Sequence, residues 1–265
     1  MARMLGGVDV QPGHYRLDGD AITFVAESGL ALHYRKGEGV TADRPAGYDP
    51  AEELLWLNGT IYAAIASIHG FYPIHASAVA CAGRVHAFTG PSGAGKSTLT
   101  AQLGQLGLPM FCDDTLILDL SDPEQVMCLP GHKRLKLWPD ALGLTGAAAE
   151  EEVRNGMGKH FAAPPAGTVA DMLPLTELCF LEEGEPAQFV PVNGAAKLMR
   201  LQDDHYTTSL FLAAARLSRA ERFHMLGRMA QIIPMHRFIR PRDPARFAAG
   251  AQLAMRHVTD FSEDS

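Results

Sequence analysis

Residues 90–98 read Gly-Pro-Ser-Gly-Ala-Gly-Lys-Ser-Thr and satisfy G-x-x-x-x-G-K-[ST] at Gly90, Gly95, Lys96 and Ser97. The chemistry of such a stretch is phosphate binding. Glycines let the backbone curl around phosphate oxygens and aim N–H groups at them, a lysine reaches the β- and γ-phosphates, and a hydroxyl ligates Mg2+. The spacing predicts a nucleoside triphosphate gripped by Gly90, Pro91, Ser92, Gly93, Ala94, Gly95, Lys96, Ser97 and Thr98. A second candidate pair, Asp113 and Asp114, follows Lys96 by 17 and 18 residues. Phosphoryl transfer uses one carboxylate near the metal and another to accept the proton of an attacking hydroxyl. Two adjacent acids can divide those roles only where a strand ends and the backbone turns. Asp119, inside Leu-Ile-Leu-Asp-Leu, is a rival metal ligand. Positive charge is also needed on the transferred group. Lys133, Arg134 and Lys136 form one basic cluster, and Lys159 with His160 a second, in a glycine-flanked stretch that could swing over bound nucleotide.

These residues need elements to hold them. Residues 84–89 are apolar and strand-like, and residues 99–106 carry apolar side chains at helical spacing. Strand, glycine loop and helix N-terminus together make an anion site. Residues 74–82 predict a strand joined near Gly83 to the loop strand, with His75 at its start. Residues 109–112 predict a short buried strand ending at the two acids, residues 116–120 another, and residues 126–129 its pairing partner. In an open α/β sheet the carboxyl ends of neighbouring strands share one edge, so both acids should face the phosphates.

Elsewhere, residues 1–47 read as a small β-rich appendage, with strands at 15–17, 21–25 and 30–34. Residues 48–265 then form the main domain. Its first helix spans about 50–69, with Asp49 as N-cap and Pro50 at the first helical position. Residues 147–165 predict a mobile loop, residues 175–181 a strand, residues 209–233 one long helix stopped by Pro234, residues 235–239 a last strand and residues 244–259 a closing helix. Arg237, Arg240 and Arg242 should line the outer face or end of that last strand.

Composition narrows the function classes. A net charge of −7 argues against a nucleic-acid partner bound through counterion release. Cys81, Cys112, Cys128 and Cys179 are widely spaced, which suits reduced thiols in the cytoplasm and offers no zinc motif. The start lacks the apolar core of a signal peptide, and residues 61–82 are too interrupted to span a membrane. No L-S-G-G-Q-like segment supports a transporter ATPase.

The combination of Ile74-His75-Ala76-Ser77-Ala78-Val79, the glycine loop and Cys112-Asp113-Asp114 resembles the catalytic domain of HPr kinase/phosphorylase. More closely, it is similar to the shorter HPr-kinase-like proteins, including those accompanying lasso-peptide biosynthesis. The similarity takes in Leu137-Trp138-Pro139-Asp140 and residues 238–243, and so covers roughly residues 70–257. It implies an α/β, phosphoenolpyruvate-carboxykinase-like nucleotide core and transfer of the γ-phosphoryl of ATP to a serine of a protein or peptide. It implies Asp113 as base, Ser97 and Asp114 around Mg2+, and His75 close to the phosphates, while the basic clusters make Lys159 and Arg134 the candidates for further phosphate or substrate contacts beside Lys96. Pro91 stands where the full-length enzymes carry an acidic residue, and their phosphorylase signature has no counterpart here. HPr itself is therefore not the preferred acceptor. A small alcohol is the alternative acceptor, a regulatory ATPase the alternative class, and a homo-oligomer is compatible with the chain.

Overall fold

The computed structural model describes residues 3–5, 8–202 and 205–263. It is a mixed α/β protein built from several sheets. Strands β1 (Arg3–Leu5) and β2 (Val8–Val10) form a short hairpin. Strands β3 (His14–Asp18), β4 (Ala21–Val25), β5 (Ala31–Arg35) and β6 (Gly39–Asp43) form an antiparallel meander in that order. The last of these was not foreseen. Residues 1, 2, 6 and 7 of the expected appendage lie outside the described residues. The meander is not a free-standing unit, because Ile22, Phe24 and Leu32 share one apolar cluster with Ile61, Ala63 and Leu210 of the following helices.

The first of those helices runs from α1 (Pro50–Trp56) through a π-helical turn (Leu57–Ile61) into α2 (Tyr62–Ile68). Its start follows local chemistry: the Asp49 carboxylate accepts from the Ala51 N–H, and Pro50 occupies a position that needs no donor.

A nine-stranded sheet positions the candidate site residues. The expected strand 74–82 is in fact two, β7 (Tyr72–Ile74) and β8 (Ala76–Cys81), parted at His75 because they pair with different neighbours. Next come β9 (Arg84–Thr89), α3 (Lys96–Gln105), β10 (Met110–Cys112), β11 (Leu116–Asp119) and β12 (Met127–Leu129), the last two paired as expected. Then β13 (Leu135–Leu137) and α4 (Pro139–Thr145) precede β14 (Ala149–Glu152) and β15 (His160–Ala162). The last two fill the stretch expected to be a mobile loop. They form a three-stranded sheet with β13 in the order β13-β15-β14, closed by the buried side chains of Leu135, Leu137 and Ala162.

The remaining elements are β16 (Leu173–Glu183), β17 (Gln188–Pro191), α5 (Ala195–Leu201), α6 (Tyr206–Ala215), α7 (Arg219–Ile232), β18 (Met235–Arg240) and α8 (Pro244–Glu263). The single long helix expected over 209–233 is therefore two. Arg216 turns left-handed at φ 50°, and Ser218 caps α7 in a reciprocal box with Glu221. The Ser-x-x-Glu signature for that cap is plain in the sequence.

The long β16 is the spine. Its first residues pair with β12, its middle runs parallel to β9, and its end runs parallel to β18. Because β8 is antiparallel to both β9 and β10, the strands β10, β9, β16 and β18 all point one way. Their carboxyl ends share one edge, and the first residue of β8 joins them there. Phe88, Leu99, Leu103 and Phe238, all fully buried, pack α3 and α8 against this sheet. Each such side chain contributes about 1.5–3 kcal/mol through burial.

Candidate functional site

The glycine loop leaves β9 at Thr89 and enters α3 at Lys96. Two glycines are obligatory for geometric reasons. Gly90 has φ 147°, and a Cβ there would meet the Leu181 carbonyl at 3.2 Å; Gly95 has φ 85°, and a Cβ there would meet the Arg240 guanidinium at 2.7 Å. The Lys96 ammonium folds back over the loop, donating to the carbonyls of Gly90 (2.8 Å) and Pro91 (3.2 Å). The loop forms one wall of a cleft of about 840 Å³, whose other walls include Phe180 to Glu183, Met199, Arg200 and His205.

Asp113 lies beside the loop and is almost fully buried. Its Oδ1 accepts from the hydroxyls of Ser97 (2.7 Å) and Ser77 (2.5 Å), and its Oδ2 from the backbone N–H of Lys136 (3.0 Å). A register shift between β10 and β8, after Met110, brings Cys112 opposite Ala78 and aims the following residue inward. The next residue turns away. Asp114 has φ 78°, a left-handed value rare outside glycine. Its carboxylate therefore points elsewhere, pairing with the Lys136 ammonium at 2.9 Å and approaching His75 Nδ1 at 3.5 Å. Burial alone would raise the Asp114 pKa, but the Lys136 charge and hydrogen bond, with His75 and Lys159, hold it below the usual carboxylate value.

This arrangement departs from one expected pairing. Ser97 bonds Asp113, not Asp114, because the αL turn at Asp114 separates the two carboxylates. Ser97 Oγ and the Asp113 carboxylate are hard oxygen donors at one point beside the loop, a set that fits Mg2+. Asp119 is not part of the group: it accepts from the Ser121 N–H on a short turn.

His75 sits at the break between β7 and β8, where its Nδ1–H donates to the Asp114 carbonyl at 2.8 Å. Its ring stacks on His205 at 4.0 Å, nearly coplanar. Burial first, and then the Lys96 charge, keep its pKa below the ordinary histidine value, which leaves the imidazole neutral at pH 7. Thr89, the last residue of β9, fixes the position by donating to the His75 carbonyl.

The cations divide differently from the sequence reading. Arg134 is spent on Glu150 and Glu151 of β14 and on the face of Phe161, so it braces the three-stranded sheet rather than the glycine loop. Lys133 donates to the carbonyls of Phe111 and Val169, also a structural use. Lys136 is the member of that cluster at the site. Lys159 stands 6.0 Å from the Trp138 ring centre and near enough to Asp114 to lower its pKa. Arg240 and Arg242 are the unexpected contributors, donating to the carbonyls of Ala94 (2.8 Å) and Gly93 (2.9 Å). Burial and the neighbouring Arg242 pull the Arg240 pKa down, and Arg240 Nε is buried with no hydrogen-bond partner among the described residues. Two crowded guanidinium groups at a glycine loop make a site for an anion.

Neither a family model nor a curated protein matches the chain. Among solved structures, the Hpr(Ser) kinase/phosphatase from Coxiella burnetii aligns over 70% of this chain and 95% of its own, at 11% identity and a TM-score of 0.37. No helix among the described residues is long and apolar enough to cross a membrane.

Proposed function

We propose that the protein is an ATP-dependent phosphotransferase, with an HPr-kinase-like nucleotide core, that moves a γ-phosphoryl group to a serine hydroxyl of a protein or peptide. The observation that carries the reading is the meeting of the glycine loop and both acids at one sheet edge. Ser97 joins the loop helix to Asp113 at 2.7 Å, while Asp114 stands alongside, ionised and oriented. Loop N–H groups and the N-terminus of α3 would take the phosphates. Lys96 would exchange its loop carbonyls for phosphate oxygens, and Arg240 and Arg242 would add positive potential behind them.

Ser97 and Asp113 are the residues that would hold Mg2+, which when bound neutralises charge on the β- and γ-phosphates. Asp114 is then the group placed to accept the proton of the acceptor hydroxyl, and Lys136 fixes its direction. This interchanges the roles of the two acids expected from the resemblance. Neutral His75 ties the backbone of Asp114 to the end of β9. Lys159, near the same acid, lies 6.0 Å from the half-exposed Trp138 ring, and the two would form the acceptor's side of the site. The choice of a peptide serine, such as that of a lasso-peptide precursor, rests on the sequence resemblance alone.

The test is transfer from γ-labelled ATP to serine-containing peptides, read by mass spectrometry. Label on a serine supports the proposal. Label appearing only as inorganic phosphate, whatever acceptor is offered, would replace it with a regulatory ATPase.

A further inference from the structure

A second polar cluster lies away from the loop, within the sheet, on the side covered by α8. Glu177 of β16 is fully buried and is surrounded by imidazoles from three other elements. Its Oε1 meets His86 Nδ1 of β9 at 2.8 Å, and its Oε2 meets His236 Nδ1 of β18 at 2.9 Å and His257 Nε2 of α8 at 2.8 Å. Cys179 lies two residues further along β16, on the same face and fully buried. One ligand atom from each of Glu177, Cys179, His236 and His257 lies within 4.8 Å of the others.

We propose that Glu177, Cys179, His236 and His257 form a binding site for a zinc-like divalent cation. The donor set decides the ion. Two imidazole nitrogens, one thiolate and one carboxylate suit a tetrahedral, borderline-soft metal, and an all-oxygen cation such as Mg2+ would not choose them. The surroundings are those of a built site. His86 engages the carboxylate oxygen opposite the two imidazoles, and Ser262 bonds the far nitrogen of His86 at 2.8 Å. Such outer partners orient metal ligands. Phe189 stacks on His257 at 3.7 Å, within 4° of coplanar, and holds that ring in place. The side chains of His236 and His257 keep 12% and 16% exposure, which gives the ion a way in, while the thiol and carboxylate stay inside.

Binding forms a sulfur–metal bond as the Cys179 S–H bond breaks, and that proton leaves to solvent. The bound ion ties α8 to β16 and β18 on the face of the sheet that α3 also packs against. His86 lies only three residues before Thr89, so the cluster also stiffens the strand that delivers the loop. The site does not depend on the phosphotransferase reading and stands or falls separately.

The probe is Co2+ added to the full, chelator-stripped protein, with Zn2+ in competition. The expected result is one equivalent of Co2+ with strong visible bands of tetrahedral geometry and a near-ultraviolet sulfur-to-cobalt band, all abolished by excess Zn2+. Cys179→Ser should remove the sulfur band, and His257→Ala should weaken affinity by about tenfold or more. Far-ultraviolet dichroism confirms that each variant is folded. The wild-type spectrum decides the matter even if a variant does not fold. Folded wild-type protein that takes up no Co2+, or takes it up without the sulfur band, overturns the proposal.

Discussion

Ser97 Oγ donates to Asp113 Oδ1 at 2.7 Å, linking the first turn of α3 to the end of β10. The helix start and the acid belong to elements that a shared sheet edge brings together. The adjacent Asp114 has no part in that bond, because its left-handed backbone sends its side chain to Lys136. The pair of acids thus offers two different tools at one place.

That division can be measured. Asp114→Asn should lower kcat by about 100-fold or more while leaving nucleotide affinity nearly unchanged. Asp113→Asn should instead raise the Mg2+ concentration needed for half-maximal activity by about tenfold or more. Steady-state kinetics across a Mg2+ series separates the two. The reverse pattern would restore the roles implied by the resemblance.

Arg240 contributes through the loop. Arg240→Gln removes the guanidinium that holds the Ala94 carbonyl and stands against Gly95. Nucleotide affinity should fall about tenfold, or about 1.4 kcal/mol, by calorimetry. An unchanged affinity would show that this arginine only braces the loop.

Acid sensitivity should trace in part to Glu182, whose carboxylate is held by Arg237 at 2.6 Å and Arg200 at 2.5 Å. The Arg237 hydrogen bond, opposed by burial and aided by Arg200, keeps its pKa below the ordinary value. A depressed folded-state pKa gives stability that is complete above the unfolded value near about 4.3 and is lost as pH falls through the folded value. Glu182→Gln should therefore cost on the order of 1 kcal/mol at pH 7 and almost nothing at the acid end. Urea melts over a series from pH 7 down to about pH 2 test this, and a cost that does not shrink towards the acid end would refute it.

Helix α7 depends on its cap. Ser218→Ala breaks the reciprocal bonds with Glu221 and should cost about 1 kcal/mol in a chemical melt, with activity retained. A loss of activity without loss of stability would point to a second role for this turn.

Much of the site was legible along the chain, for a definite reason. The glycine loop, the Asp49 cap and the Ser218–Glu221 box are local: each specifies the backbone within a few residues of itself. The alternating and continuous apolar runs likewise marked β4, β5, β9 and β16, since strand periodicity is written in neighbouring residues. Stretch 147–165 misled because its polar composition hides two short strands, β14 and β15, that pair with each other while β15 also pairs with β13.

Which side chains face one another was decided by tertiary structure. Nothing local distinguishes Lys136, which meets Asp114, from Arg134, which meets Glu150 and Glu151 two positions earlier. Arg240 reaches Ala94 across 146 residues of chain, and His86 reaches Glu177 across 91. Strand register and the parallel run of β9, β16 and β18 create those meetings. Periodicity along a chain tells which face a residue takes, whereas its partner depends on how the sheet is ordered, and that order is set by packing of the whole molecule.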